Sequence, residues 1–242
     1  MISVSILNSV IGAMCVELNG ESGPSLNWRT LSEEELFHEA TICAFSSQML
    51  FELAVAMAGR LRENGFFDCA YAQQDTTLYK QSVISMLSEP IELSLDDNRK
   101  YHRMPRFKNR LASFVASNMV DIYGAGRSFC EMLGSSNSSK EARLALVHHV
   151  WGLGPKQSSL FLRRVGYCSE LAVLDTHILD YLNMANGHKI SVKNLGNLLA
   201  YESIETEFSR IAERFGFSVG CVDFAMWLTM RVAKKETQLW AS

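Results

Sequence analysis

Lys156 and Asp175 are the two side chains whose types and setting invite chemistry. Lys156 closes the run Gly152-Leu153-Gly154-Pro155-Lys156. Glycine tolerates positive φ and lets another backbone come close, so Gly152 to Gly154 reads as a tight turn. Proline suits the first helical position, where its missing N–H is not needed. Lys156 therefore falls in the first turn of a helix. That helix runs on through Ser158, Leu160, Phe161 and Val165 and stops at Gly166. The positive end of a helix dipole opposes an ammonium charge. It favours the free amine, the form that a nucleophilic lysine needs. Nineteen positions on, after the apolar Leu171-Ala172-Val173-Leu174, Asp175 stands as the N-cap of a further helix. Each residue also has a plainer role open to it: Asp175 as a helix cap, Lys156 as a surface lysine beside a turn.

The elements that must hold these groups are helical. Ser138 or Ser139 caps the first arm of the hairpin, which runs through Leu146 to Trp151. Upstream, Ser32 with Glu35 three positions later is a capping box. The dense apolar stretch from Leu36 to Arg62 predicts core helix, broken near Ser46-Ser47. Ala70 to Leu87 predicts another helix, and Pro90 to Asp97 a loop. From Arg99 to Arg110 come six Lys and Arg side chains with no acid, interleaved with aromatics. This run is either a solvated helix start or a phosphate contact. His148 and His149 are adjacent on a helix and point apart, so one is expected to pack and the other to face solvent or DNA. Asn186-Gly187-His188 reads as a turn. Tyr201 to Phe215 is a helix closed by Gly216. Val219 to Ala233 is an apolar core helix with Asp223 near its start and Trp227 one turn on. Residues 1–30 are the least legible. Val4, Ile6 and Val10 hint at alternation, and Asn19-Gly20 and Ser22-Gly23-Pro24 read as turns, giving a strand pair or an appended arm.

Bulk properties narrow the class. The chain has 242 residues, 48% of them hydrophobic and 20% charged, which suits one or two globular domains. No apolar run approaches a membrane span, and the N-terminal stretch lacks the basic region of a signal peptide. Six cysteines, at 15, 43, 69, 130, 168 and 221, are scattered, as expected of a reduced cytoplasmic protein. Their scatter offers neither an iron–sulfur loop nor zinc spacing, and no metal or cofactor is expected. The net charge of −3 is not that of a strongly basic nucleic-acid binder. DNA affinity would have to come from local patches and backbone amides.

The G-L-G-x-K turn followed by Val173-Leu174-Asp175-Thr176-His177 resembles the helix-hairpin-helix glycosylases of base excision repair. The Lys156-to-Asp175 spacing and the segment from Gly152 to Tyr167 are similar to the compact 8-oxoguanine DNA glycosylases of archaea and some bacteria. The resemblance implies an all-α, two-lobed helix-hairpin-helix DNA glycosylase fold. It implies a bifunctional glycosylase/AP lyase acting on double-stranded DNA that contains a damaged base, through a Schiff base on Lys156 assisted by Asp175. It implies that the amides near Gly152 and Gly154 hold a backbone phosphate, and that Arg106, Lys108 and Arg110 contact DNA. Phe45 to Met49 reads by itself as a helix–helix junction; the resemblance adds that Gln48 plugs the gap left by an extruded base. Asp223 and Trp227 match a D-x-x-x-W helix that lines the base pocket. The remaining expectations are a monomer, a cytoplasmic and nucleoid-associated setting in a bacterium or archaeon, and no membrane. The domain reading is an N-terminal arm at 1–30, a first lobe at 31–139 and a hairpin-bearing lobe at 140–242, the two lobes interleaved. Two alternatives stay open: a glycosylase for another damaged or modified base, and a non-catalytic helix-hairpin-helix DNA-binding protein.

Overall fold

Side-chain caps punctuate most of the helices. The computed structural model describes residues 3–21, 26–94, 100–187 and 189–240. In chain order the helices are α1 (Val4–Glu17), α2 (Glu33–Ser46), α3 (Phe51–Glu63), α4 (Thr76–Leu87), α5 (Lys108–Asn118), α6 (Phe129–Gly134), α7 (Ser139–His149), α8 (Pro155–Arg164), α9 (Thr176–Asn186), α10 (Leu198–Phe215) and α11 (Val219–Trp240). The fold is all-α, as the sequence predicts, apart from one short hairpin of strands β1 (Ile91–Ser94) and β2 (Lys100–Arg103). No single described helix is long and apolar enough to cross a membrane.

The chain divides into two compact units. One is Asn27–Phe161; the other is built from the described residues up to Leu26 and those from Leu162 onward. The division therefore falls inside α8, and not in the serine-rich loop before α7.

In the Asn27–Phe161 unit, α2 starts at the expected capping box. Ser32 Oγ accepts from the Glu35 amide at 3.2 Å, and the Glu35 carboxylate accepts from the Ser32 amide at 2.9 Å. The Glu33 carboxylate also accepts from the Phe129 and Cys130 amides at 2.9 and 2.7 Å, so α2 caps the start of α6. A line of rings crosses this core, with centroid separations of 4.9 Å for Phe37–Phe67, 6.1 Å for Phe37–Phe129 and 5.7 Å for Phe129–Phe161. Each such pair adds about 0.5–1.5 kcal/mol beyond its buried area. The last ring is on α8, so this line fixes the half of α8 that carries Lys156. The break in the long apolar stretch lies where expected, with α2 ending at Ser46.

Three expectations are corrected. Residues 4–17 form helix α1, not a strand pair. Leu7, Ile11 and Cys15 recur at helical spacing and are buried, whereas Ile6 and Val10 of the apparent alternation are 58% and 43% exposed. The segment 70–87 is two pieces, a 3₁₀ turn at Cys69–Gln73 and then α4. Asp75 starts α4 as its N-cap, accepting from the Thr77 and Leu78 amides. The supposed loop at 90–97 contains β1, which pairs antiparallel with β2 so that Ile91 faces Arg103. The front of the basic run is therefore strand, and only Lys108 onward is helix. Two four-residue strands are too short for alternation to register in sequence. Residues 95–99, Ser22-Gly23-Pro24 and His188 lie outside the described residues.

The second unit buries α1, α9, α10 and α11 around Tyr201, Phe208, Val222 and Met226. Gly187 and Gly216 close α9 and α10 in the left-handed conformation.

Candidate functional site

The hairpin turn is locked from α5. The Asn118 carboxamide bridges the backbone of Trp151, accepting from its amide at 2.6 Å and donating to its carbonyl at 3.0 Å. Asp121, on the π-helical turn Met119–Gly124 that follows α5, accepts from the Trp151 indole at 2.6 Å. Gly152 then turns with φ +89°. A Cβ built there would stand 2.8 Å from the Ala44 Cβ and 2.9 Å from the Phe114 ring. Both the dihedral and the space thus demand glycine. Gly154 is different: its added Cβ would meet only the Gln157 side chain, at 3.7 Å. The Gly154 carbonyl accepts from the Ser158 amide at 2.9 Å, which makes Gly154 the N-cap of α8. The two arms are joined by the fully buried Arg143 of α7, which donates to Ser159 Oγ at 3.2 Å.

Lys156 sits in the first turn of α8, as the sequence predicts. The helix buries Pro155, Ser158, Ser159 and Leu162 and leaves Lys156, Leu160 and Arg164 half-buried along one stripe. Among the described residues Lys156 enters no hydrogen bond or ion pair. Its first-turn neighbours leave backbone N–H groups without intrahelical acceptors, and such an end attracts anions.

Beside the turn lies an open cavity of about 420 Å³. Its lining brings together Gly152, Gly154, Arg110, Phe114, Ser47 and His148. The Arg110 guanidinium lies 5.4 Å over the Phe114 ring. Arg106 is exposed and away from this lining, and Lys108 donates to Ser88 Oγ at 2.8 Å. Gln48 is half-buried next to Ser47, on the α2–α3 junction. Leu50 and Phe51 at that junction lie in the stretch that the sequence assigns to core helix, and this is corrected: they are 56% and 38% exposed. His148 and His149 are both exposed, so the expectation that one packs is corrected; His149 instead lies 3.3 Å from the Arg127 guanidinium. Both fall in the last, weakly covered turn of α7.

Asp175, Asp223 and Trp227 belong to the other unit. Asp175 is the N-cap of α9, with Oδ1 accepting from the His177 and Ile178 amides at 2.8 and 3.0 Å. Among the described residues its second carboxylate oxygen makes no hydrogen bond. Asp223 is 1% exposed. It is ion-paired with Arg163 and accepts from the Val173 amide at 2.9 Å. Burial raises its carboxyl above the ordinary carboxylate range, while Arg163 and the Val173 amide oppose that shift. Trp227 is half-buried, stacked on Phe224 at 6.1 Å and covered by the Arg231 guanidinium at 5.1 Å. Arg163, Tyr201 and Glu205 were missed by the sequence reading. The only signals were the adjacent Arg163 and Arg164 inside the run Leu160 to Val165 and a Tyr–Glu pair four apart on one helix.

His177 carries a pH signature. Burial pushes its imidazole below the ordinary value, Asp175 opposes that, and Lys234 reinforces it. Among the described residues its buried Nδ1 has no hydrogen-bond partner. The unfolded chain takes up this proton near pH 6.5, about the free-histidine value, and the folded chain resists it. The linked stability is present above that pH and is lost as pH falls through the lower folded value. His177→Gln is expected to flatten the fall in melting temperature between pH 7 and 5, measured by calorimetry.

A glycine turn between two helices, a lysine in the first turn beyond it and an aspartate capping the next helix, on an all-helical frame, define a helix-hairpin-helix DNA glycosylase. Residues 25–217 match the family model described as 8-oxoguanine DNA glycosylase, and the chain belongs to that family. An 8-oxoguanine DNA glycosylase/AP lyase of Sulfurisphaera tokodaii is 34% identical over 140 residues, 57% of this chain and 66% of that one. One from Saccharolobus islandicus is 26% identical over 199 residues, 81% of this chain and 83% of that one. The crystal structure of the Methanocaldococcus jannaschii 8-oxoguanine DNA glycosylase shares the fold with a TM-score of 0.65 at 19% identity, over 92% of each chain. In complex with a 15mer DNA containing 8-oxoguanine, that protein gives a TM-score of 0.58, over 92% of this chain and 88% of that one.

Proposed function

We propose that this protein is a bifunctional DNA glycosylase/AP lyase that excises 8-oxoguanine from double-stranded DNA. The observation that carries the reading is Lys156, unpaired among the described residues, in the first turn of α8 directly beyond the Gly152–Gly154 turn. The damaged nucleotide is extruded from the duplex. The Lys156 amine attacks C1′ of its sugar and the base leaves with the glycosidic electron pair. Asp175, through its unengaged oxygen, takes the lysine proton or stabilises the positive charge on the sugar. The sugar ring then opens: the C1′–O4′ bond breaks, O4′ takes up a proton, and C1′ is left double-bonded to the lysine nitrogen as a Schiff base. This Schiff base loses a proton from C2′, and β-elimination breaks the C3′–O bond to the 3′ phosphate, which leaves with the electron pair. Water then releases the lysine.

The other candidate residues take supporting roles. Amides near Gly152 and Gly154, with Arg110 in the same cavity, grip a backbone phosphate. Arg106 and Lys108 extend the contact along the strand. Gln48 fills the space of the extruded base. Trp227 walls the base pocket, with Asp223 one turn behind it on α11. The protein acts as a monomer on the nucleoid DNA of the cytoplasm.

A set of duplexes carrying one lesion each, incubated with enzyme and borohydride, tests the reading. Trapping and nicking are expected with 8-oxoguanine and with an abasic site, and not with undamaged DNA. Cleavage of the abasic duplex alone would refute the glycosylase step. Because the net charge is −3, the grip depends on a few local cations. Arg110→Ala is expected to weaken binding to all duplexes alike and to reduce the slope of log affinity against log salt by about 1.

A further inference from the structure

We infer that Tyr201, Glu205 and the Arg163–Asp223 pair are positioning residues for Asp175, fixing its carboxylate by hanging the preceding loop from its own amides. The inference rests on the proposed catalytic role of Asp175. The side chains of Leu171, Ala172, Val173 and Leu174 are all buried, at 6% exposure or less. An irregular segment in such a place must find partners for its backbone groups, since water does not reach them. Three consecutive amides do so through side chains from two helices. The Ala172 amide donates to Glu205 Oε1 at 3.0 Å, the Val173 amide to Asp223 Oδ2 at 2.9 Å, and the Leu174 amide to Tyr201 Oη at 3.0 Å. Tyr201 Oη in turn donates to the Ala172 carbonyl at 2.7 Å. The acceptors are buried too: Tyr201 is 0%, Glu205 4% and Asp223 1% exposed. Arg163 neutralises Asp223 from α8, the helix whose first turn carries Lys156.

The arrangement is more than packing requires. An apolar core needs no carboxylate, and burying one is costly unless it is fully engaged. Here two carboxylates and a phenol are spent on three successive amides, and the chain emerges from them at Asp175. A rack of this kind determines where the cap residue stands and which way its free oxygen faces. Rates of enzymatic steps respond steeply to such placement, by about 10²-fold for an error near 1 Å.

The test is a double-mutant cycle on single-turnover excision of 8-oxoguanine, run well below each variant's melting temperature. Tyr201→Phe keeps the ring and removes the hydroxyl. It is expected to slow excision by about 10- to 100-fold while duplex affinity stays within about two-fold. In an Asp175→Asn background the same change is expected to cost less than about two-fold, because the group it acts through is already gone. Phe208→Leu, in the same helix and in the same core but with no hydrogen bond to the loop, is expected to lower the melting temperature without this rate loss. Glu205→Gln, which keeps an acceptor for the Ala172 amide, is expected to retain most of the rate that Glu205→Ala loses, and this second pair decides the matter if Tyr201→Phe does not fold. Wild-type rate in folded Tyr201→Phe, or full additivity with a slow Asp175→Asn, overturns the inference alone. Wild-type rate in Asp175→Asn by itself overturns the role of Asp175 and the inference with it.

Discussion

Lys156→Gln is expected to bring borohydride-trapped protein–DNA adduct to background on both 8-oxoguanine and abasic duplexes. Excision should fall by on the order of 10³-fold or more, about 4 kcal/mol of transition-state stabilisation. The fold should not suffer. Lys156 lies on the half-buried stripe of α8 and makes no ion pair among the described residues. A cation in the first turn opposes the helix dipole, so its removal is worth roughly 0.3–1 kcal/mol in favour of the folded state. The variant should therefore melt slightly higher than wild type while being inactive. That divergence is the mark of a residue kept for chemistry at a cost in stability. Single-turnover assays, trapping gels and calorimetry on one preparation check both halves. Undiminished trapping in Lys156→Gln would mean that another amine is the nucleophile.

Gly152→Ala carries the second large effect, and it acts through structure. At φ +89° a side chain costs roughly 1–2 kcal/mol. The added Cβ would also stand 2.8 Å from the Ala44 Cβ, an atom that cannot move without the α2 backbone. Overpacking of this kind costs about 1–3 kcal/mol. The sum, about 2–5 kcal/mol, is a large part of the net stability of a typical domain. The melting temperature should fall by about 5–20 °C, and the hairpin should lose its grip on DNA even where the chain stays folded. Gly154→Ala is the control. It has room for the methyl group, so the melting temperature should change little, and any loss of duplex affinity reports the approach of the DNA backbone. Equal melting temperatures for Gly152→Ala and wild type would show that the turn relaxes more freely than its contacts indicate.

The chemistry-bearing stretch was legible in sequence because each of its features is local. Gly152, Gly154, Pro155 and Asp175 announce a turn, a helix start and a cap through their own backbone preferences, and those need no distant partner. The capping box at Ser32, the break near Ser46 and the stops at Gly166 and Gly216 were legible for the same reason. Failures came where a signal was short or contradictory. The α1 helix hid behind an accidental alternation of Val4, Ile6 and Val10, and β1 was only four residues long.

What the amino-acid order determined, then, is the helical hairpin, the lysine at its mouth, the aspartate at the next cap and the family they belong to. The tertiary structure alone decided that Gly152 is wedged against Ala44 and Phe114, and that Arg110 shares a cavity with the turn. It alone decided that Tyr201, Glu205 and Asp223 hold three successive amides ahead of Asp175. Turn and cap preferences reside in single residues and their immediate neighbours. Cavities, close approaches and buried hydrogen bonds arise between residues tens of positions apart, and only packing says which of them meet.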